Sequence, residues 1–77
     1  MEERSLTFGE KAVGLSFNPS GDQLVNDLKV AFASIIDQLH DLRGNATSPE
    51  IARLASVAIT EAQSAQMWAV KAATWRD

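Results

Sequence analysis

The 77-residue sequence contains no cysteine and a single histidine, His40, so two common ways of stabilising a small fold are missing. Without cysteine there are no disulfides, and one imidazole without a thiolate does not make a structural zinc site. A chain of this length buries only about 60–65% of its unfolded surface, so a single copy is expected to be marginally stable. We therefore expect no metal and no cofactor, and we expect contacts between copies of the chain to supply further stability.

Long apolar runs and an excess of basic residues are also absent. No stretch approaches the roughly 18 apolar residues of a membrane span, and the opening MEERSLTFGEK lacks the apolar run of a signal peptide. These absences predict a protein of the cytoplasm with no membrane partner. Seven basic residues are outnumbered by ten acidic ones, giving a net charge of −3. We expect no duplex nucleic-acid partner, although one or two well-placed cations suffice for a small anionic ligand.

Groups suited to catalysis are scarce. His40 is the single histidine, with Asp37 and Asp41 as helical neighbours, and a solvated surface histidine is the better interpretation. The sequence has no glycine-rich phosphate loop, no metal-ligand cluster and no nucleophile with a recognisable base. We therefore expect no catalytic residues and a protein that is not an enzyme.

Apolar residues recur at alternating steps of three and four over residues 20–43, which predicts a helix packed along its length. The helix should begin at Ser20, an N-cap with Gln23 at the capping-box spacing. It should end where Gly44 and Asn45 interrupt the pattern. The predicted buried seam consists of Val25, Leu28, Phe32, Ile35, Leu39 and Leu42.

A second helix is predicted over residues 48–75, where alanine occupies the same three-and-four spacing. Ser48, Pro49 and Glu50 supply an N-cap, a proline at the first helical position and a carboxylate at the positive helix end. Small side chains allow two helix axes to approach closely, so the alanines should face the first helix. Helix propensity alone does not explain their spacing. The predicted alanine seam consists of Ala55, Ala58, Ala62, Ala65, Ala69 and Ala72.

Residues 1–19 are predicted to be an irregular lead-in. Residues 1–4 should have no fixed structure, and the remainder, broken by Gly9 and Gly14, should form a short helical turn on the hairpin. The predicted fold is all-α: one domain over residues 1–77, an antiparallel helical hairpin of two long helices with a short N-terminal segment, assembled into a homo-oligomer.

Apolar residues outside both seams favour that assembly. Leu54, Trp68 and Trp75 share one side of the second helix, here called the tryptophan face, and Met67 lies farther round. A helix that is apolar on more than one side is buried on more than one side, and large aromatics contribute most to interfaces. We therefore assign Met67, Trp68 and Trp75 to an oligomer interface. The alternative is that both tryptophans pack against the lead-in of their own chain.

A few residues are suited to a nucleotide. Phe17 precedes the first helix, Lys29 lies on the edge of that helix's seam, and Arg53 and Thr60 lie seven apart on the second helix. An aromatic ring stacks on a base, while cations and hydroxyl groups bind phosphate. The alternative is that Lys29 and Arg53 are ordinary solvated charges and Phe17 is a hydrophobic staple; residue chemistry alone favours this alternative.

Two motifs nevertheless carry a family resemblance. The helical pattern RxxSxAxTxxxxAxMWA starts at Arg53, and NxxK is formed by Asn26 and Lys29, downstream of an aromatic residue. With the preceding FNPSGD turn, they make residues 8–75 similar to the helical-hairpin domain of phage anti-CBASS and anti-Thoeris sponge proteins. Such proteins capture cyclic nucleotide or cyclic ADP-ribose-type signals of bacterial immunity in the host cytoplasm, without cleaving them.

The resemblance implies roles for individual residues. It implies a homohexamer, as in the anti-CBASS branch, with pockets where chains meet. It implies that Phe17, where many relatives have tyrosine, and Lys29 sandwich the cyclic nucleotide. It also implies that Arg53, with Thr60 nearby, binds phosphate, and it adds Asn26 to the candidate ligand-binding residues. An adaptor that oligomerises or docks a protein partner through its tryptophan face remains the alternative function.

Overall fold

In a computed structural model, residues 5–77 are described and form three helices: α1 (Phe8–Ala12), α2 (Gln23–Gly44) and α3 (Pro49–Ala73). No strand occurs among these residues, so the all-α prediction is confirmed. A short connection joins α2 to α3, which pack along each other as a hairpin, and α1 packs on α2. The prediction made for residues 1–4 lies outside the described residues.

The cap of α2 differs from the sequence prediction. Asp22, not Ser20, is the N-cap: its carboxylate accepts hydrogen bonds from the backbone N–H groups of Leu24 at 2.9 Å and Val25 at 3.3 Å. The chain still turns before the helix, because Gly21 has a φ of 63°. The carboxylate of Asp22, two residues after Ser20, therefore reaches the first free N–H groups of the helix.

The start of α3 follows the predicted pattern. Ser48 Oγ accepts a hydrogen bond from the Ile51 N–H at 3.2 Å, and Pro49 is the first helical residue. Proline fits this position because its missing N–H would have no partner within the helix.

The buried face of α2 is rotated from the predicted one. Ile35 and Leu42 were placed in the seam but are 48% and 52% exposed, while Ile36 is fully buried. The reason is that α2 packs against two neighbours, α1 and α3, so its buried face turns toward both. The core contains Val13, Ala33, Ile36 and Ile59, with Phe32, Leu39 and Ala62 partly buried against it.

The alanine seam of α3 is wrong at several positions. Ala65 and Ala72 are exposed, whereas Ile59 and Gln66 are buried. Ala55 is the one alanine of the predicted seam that is fully buried among the described residues. Alanine spacing did not identify the buried face, because α3 carries apolar side chains around most of its circumference.

Close contact between α1 and α2 depends on Gly9. Its N–H donates to Asp37 Oδ1 at 2.7 Å, and a Cβ at this position would lie 2.1 Å from the Ala33 carbonyl oxygen. Beside this contact, the Phe8 ring stacks on His40 with centroids 4.2 Å apart. His40 is exposed as predicted and lies 3.2 Å from Arg43, one turn along α2, while its stacking on Phe8 is a contact that the sequence did not reveal.

The shortest dimension of the backbone is 12 Å. Among residues 5–77, no element other than α1 packs on the outer sides of α2 and α3. Large apolar side chains therefore stay exposed on both helices, including Leu24 at 53% and Trp68 at 66%. Within the described residues, no helix is long and apolar enough to cross a membrane.

Candidate functional site

A pocket of about 510 Å³ lies where the segment after α1 meets α2 and α3. Phe17 and Lys29 line it from one side, and Gln63, Gln66 and Met67 of α3 line it from the other. A smaller recess of about 200 Å³ shares Phe17 and Lys29 with it. Two of the candidate ligand-binding residues are therefore brought together within one chain.

Lys29 is a buried side chain with defined partners. It is 5% exposed, and its ammonium donates hydrogen bonds to the backbone carbonyls of Gly14, at 3.0 Å, and Phe17. The interpretation of Lys29 as an ordinary solvated charge is therefore wrong. An ammonium has three N–H donors, so one remains without a partner among residues 5–77. Lys29 thus tethers the segment before α2 and brings a positive charge to the pocket.

Phe17 places its ring at the edge of the pocket. The ring is 73% exposed, and its centroid lies 5.5 Å from Lys29 Nζ, within the range of a cation–π contact. A hydrophobic staple would pack its ring against the helix, so this exposure contradicts the staple interpretation. The turn that precedes the ring depends on Gly14, whose φ is 64°.

The other candidate ligand-binding residues lie outside this pocket. Asn26 is half-buried on α2 and lines neither cavity, and Thr60 is exposed on α3. Arg53 lies thirteen residues before Gln66 on α3, about 20 Å along the helix. A single copy of the chain therefore does not bring Arg53 and Lys29 to one small ligand.

Arg53 is already engaged by a neighbour on its own helix. Its Nε donates to Glu50 Oε1 at 2.9 Å and its Nη2 to Glu50 Oε2 at 2.7 Å. These bonds lower the pKa of the Glu50 carboxyl and raise the pKa of Arg53. Both side chains are well exposed, so a phosphate that approaches Arg53 competes only with a surface ion pair.

The tryptophan face is open to solvent. Trp68 is 66% and Trp75 64% exposed, so the alternative that they pack against the lead-in of their own chain is wrong. Lys71 Nζ lies 5.5 Å from the centre of the Trp68 ring. Met67 is 63% exposed and, unlike the tryptophans, lines the pocket.

Sequence reasoning missed the two glutamines of the pocket. Gln66 follows Ala55, Ile59 and Ala62 at helical spacing, so it occupies the buried face of α3 although its side chain is polar. The available signal was a glutamine on the helical face that also carries Ala55 and Ile59. That face was not predicted to be buried, because the predicted seam ran through Ala65 instead.

The pocket combines groups that suit a flat, anionic ligand. It offers one aromatic ring, the ammonium groups of Lys11 and Lys29, and two carboxamides, and most of its remaining lining is apolar. Among residues 5–77, no cluster of histidine and carboxylate side chains is arranged to hold a metal ion. The chemistry of these groups is binding by stacking, charge and hydrogen bonds.

Comparison with known proteins agrees with the resemblance noted in the sequence. Neither the curated proteins nor the solved structures contain a match to this chain. Residues 10–74, however, match the family described as Acb2/Tad1, hairpin domain. That match covers the turn before α2, both long helices and every residue of the pocket lining. The chain therefore belongs to the Acb2/Tad1 hairpin-domain family, the family of the anti-CBASS and anti-Thoeris cyclic-nucleotide sponges.

Proposed function

We propose that this protein is a phage sponge for cyclic nucleotide second messengers. It binds cyclic di- or trinucleotides, or cyclic ADP-ribose-type signals, and holds them without cleavage. The effectors of bacterial CBASS or Thoeris defence are thereby deprived of their activator. Membership of the family supports the general role, and the pocket around Phe17 and Lys29 supports the manner of binding.

One observation carries the proposal: an exposed aromatic ring lies beside a buried ammonium at the edge of a pocket. A base that stacks on Phe17 places its sugar–phosphate ring near Lys29, whose third N–H is available to a phosphate oxygen. Ammonium–phosphate hydrogen bonds are among the strong ones in proteins, especially where water is partly excluded. A few such groups let a protein of net charge −3 hold an anion.

Arg53 and Thr60 enter the proposal through neighbouring copies of the chain. Met67, Trp68 and Trp75 are 63–66% exposed, which favours contact with other copies of the chain. In a homohexamer, a neighbouring α3 brings Arg53 and Thr60 toward the Phe17 pocket, so that cations from two chains meet one ligand.

Capture without turnover fits the groups present. Hydrolysis of a phosphodiester needs a positioned nucleophile with a base or a metal. The described residues around the pocket offer amide, ammonium and aromatic groups instead. We therefore propose that the protein is not an enzyme and that the bound signal is released unchanged.

The test is thermal unfolding of the purified protein with a panel of cyclic dinucleotides, cyclic trinucleotides and cyclic ADP-ribose isomers. Linear dinucleotides serve as the matched control. A ligand present at 100 times its dissociation constant adds about 2.7 kcal/mol to the unfolding free energy, which raises the midpoint clearly. Chromatography of the ligand after heat release should recover it intact. A flat response across the panel would contradict the proposal, and recovery of a cleaved product would contradict the sponge mechanism.

The second candidate function is a helical adaptor, favoured by the exposure of the tryptophan face. An adaptor would show no midpoint shift with any cyclic nucleotide, and its Trp68→Ala variant would lose assembly or partner binding. The nucleotide panel therefore separates the two functions.

A further inference from the structure

Gln66 is a polar side chain on the buried face of the hairpin. It is 5% exposed, as deeply buried as the core residue Val25, which is 4% exposed. The neighbouring positions of the same face, Ile59 and Ala62, are apolar and belong to the core or pack against it. A carboxamide at this depth usually has a hydrogen-bond partner, because burying one without a partner costs free energy.

The Gln66 carboxamide has no such partner among residues 5–77. Its nitrogen and oxygen are nevertheless not sealed inside the protein, since no fully buried polar side-chain atom of the described residues lacks a hydrogen bond. Gln66 lines the pocket, so the pocket is where a ligand would meet its carboxamide. The carboxamide is therefore a free donor and acceptor held in place by the packing around it.

We propose that Gln66 is a specificity-determining residue that hydrogen-bonds to the edge of a nucleobase in the pocket. This inference rests on the proposed function, because it assumes that the pocket accepts a cyclic nucleotide. Phe17 offers a surface for the face of the base and Lys29 a charge for its phosphate, and neither distinguishes one base from another. A carboxamide does, since it presents one donor and one acceptor to a base edge, as in its pairing with adenine N6 and N7.

The packing around Gln66 makes it better suited to discriminate between nucleobases than a glutamine on the surface. Most rotamers of a buried side chain are excluded by packing, so little freedom remains to be lost when a ligand binds. A base that leaves the carboxamide unpaired keeps a buried polar group unsatisfied and is disfavoured. Gln63 lines the same pocket one turn earlier and is only half-buried, so it lacks this constraint.

The experiment replaces Gln66 by methionine, which has a similar length and shape and no amide. Because the carboxamide has no partner in the free protein, Gln66→Met should unfold at the same denaturant concentration as the original chain or a higher one. Its affinity for the preferred cyclic dinucleotide should fall about 10- to 100-fold. Gln38→Met, the same change at an exposed position of α2, should leave the affinity unchanged.

A thermodynamic cycle separates base reading from damage to the fold. Cyclic dinucleotides of adenine are compared with the same compounds made from purine, which lacks the exocyclic amine. The original protein should bind the adenine compound more tightly, and Gln66→Met should bind both equally. Equal discrimination by both proteins overturns the role of Gln66 and leaves the proposed function standing. Failure of the original protein to bind any cyclic nucleotide overturns both.

Discussion

At the scale of single residues, Phe17 offers the cleanest test of the pocket. Its ring is 73% exposed, so Phe17→Ala removes little buried surface and should leave the unfolding midpoint nearly unchanged. Loss of base stacking should weaken ligand binding by about 1–3 kcal/mol, measured by calorimetric titration. Phe17→Tyr keeps the ring and is the matched control, with affinity close to that of the original. Equal binding by Phe17→Ala would place the ligand elsewhere.

Replacing Lys29 should change both stability and ligand affinity, because its ammonium bonds to backbone carbonyls and also brings a charge to the pocket. Lys29→Met leaves the Phe17 carbonyl without its buried donor and should lower the unfolding free energy by about 1–3 kcal/mol, measured by denaturant titration. Ligand affinity should fall in the same variant. Lys11→Met alters an exposed lysine of the same pocket and should leave stability unchanged. If the two variants were equally stable, the tether would have no energetic role.

At the scale of helices, the sequence predicted the elements better than their faces. Ser48 and Pro49 mark the start of α3 through local chemistry, which a sequence displays directly. The rotated seams arise from tertiary packing: α2 turns toward α1 as well as α3, and no local pattern contains that information. Phe17 and Lys29 were selected from sequence and share a pocket, whereas Gln66 was missed because its importance depends on which face is buried.

The contact between α1 and α2 yields a prediction at this scale. In Gly9→Ala the new Cβ would lie 2.1 Å from the Ala33 carbonyl oxygen, so α1 must move away from α2. We expect a loss of about 1–3 kcal/mol in unfolding free energy, typical of overpacking. Gly44→Ala is the matched control: a Cβ there meets nothing within 4 Å, and stability should stay equal or rise. Equal stability of the two variants would show that α1 contributes little.

At the scale of the whole molecule, the exposed apolar surface should govern behaviour. Large apolar side chains such as Leu24 and Trp68 stay exposed on the two long helices, and we expect other copies of the chain to cover them. We expect the midpoint of thermal unfolding to rise with protein concentration, as it does when assembly stabilises the folded state.

Trp68 is the side chain chosen to test assembly, because it is large and 66% exposed. Trp68→Ala should weaken association by about 2 kcal/mol, some 30-fold in the dissociation constant, measured by sedimentation velocity. Trp68→Phe keeps an aromatic ring and should retain most of the assembly. Unchanged sedimentation of Trp68→Ala would indicate that the interface lies on another face. One such face is the exposed stripe of Leu24, Ile35 and Leu42 on α2.

The hydrogen bonds from Lys29 to the segment before α2 also affect the rate at which a ligand is expected to bind. The Lys29 ammonium fixes the carbonyls of Gly14 and Phe17, and the Asn18 side chain bonds to the backbone of Asp22 on both its N–H and C=O groups. The backbone at the edge of the pocket is thus held in place before any ligand arrives, so mainly side chains such as the Phe17 ring have freedom left to lose. Binding then carries a small entropic penalty and needs no slow loop closure. The proposed sponge would gain from that speed, because it would compete with an effector for the same few molecules.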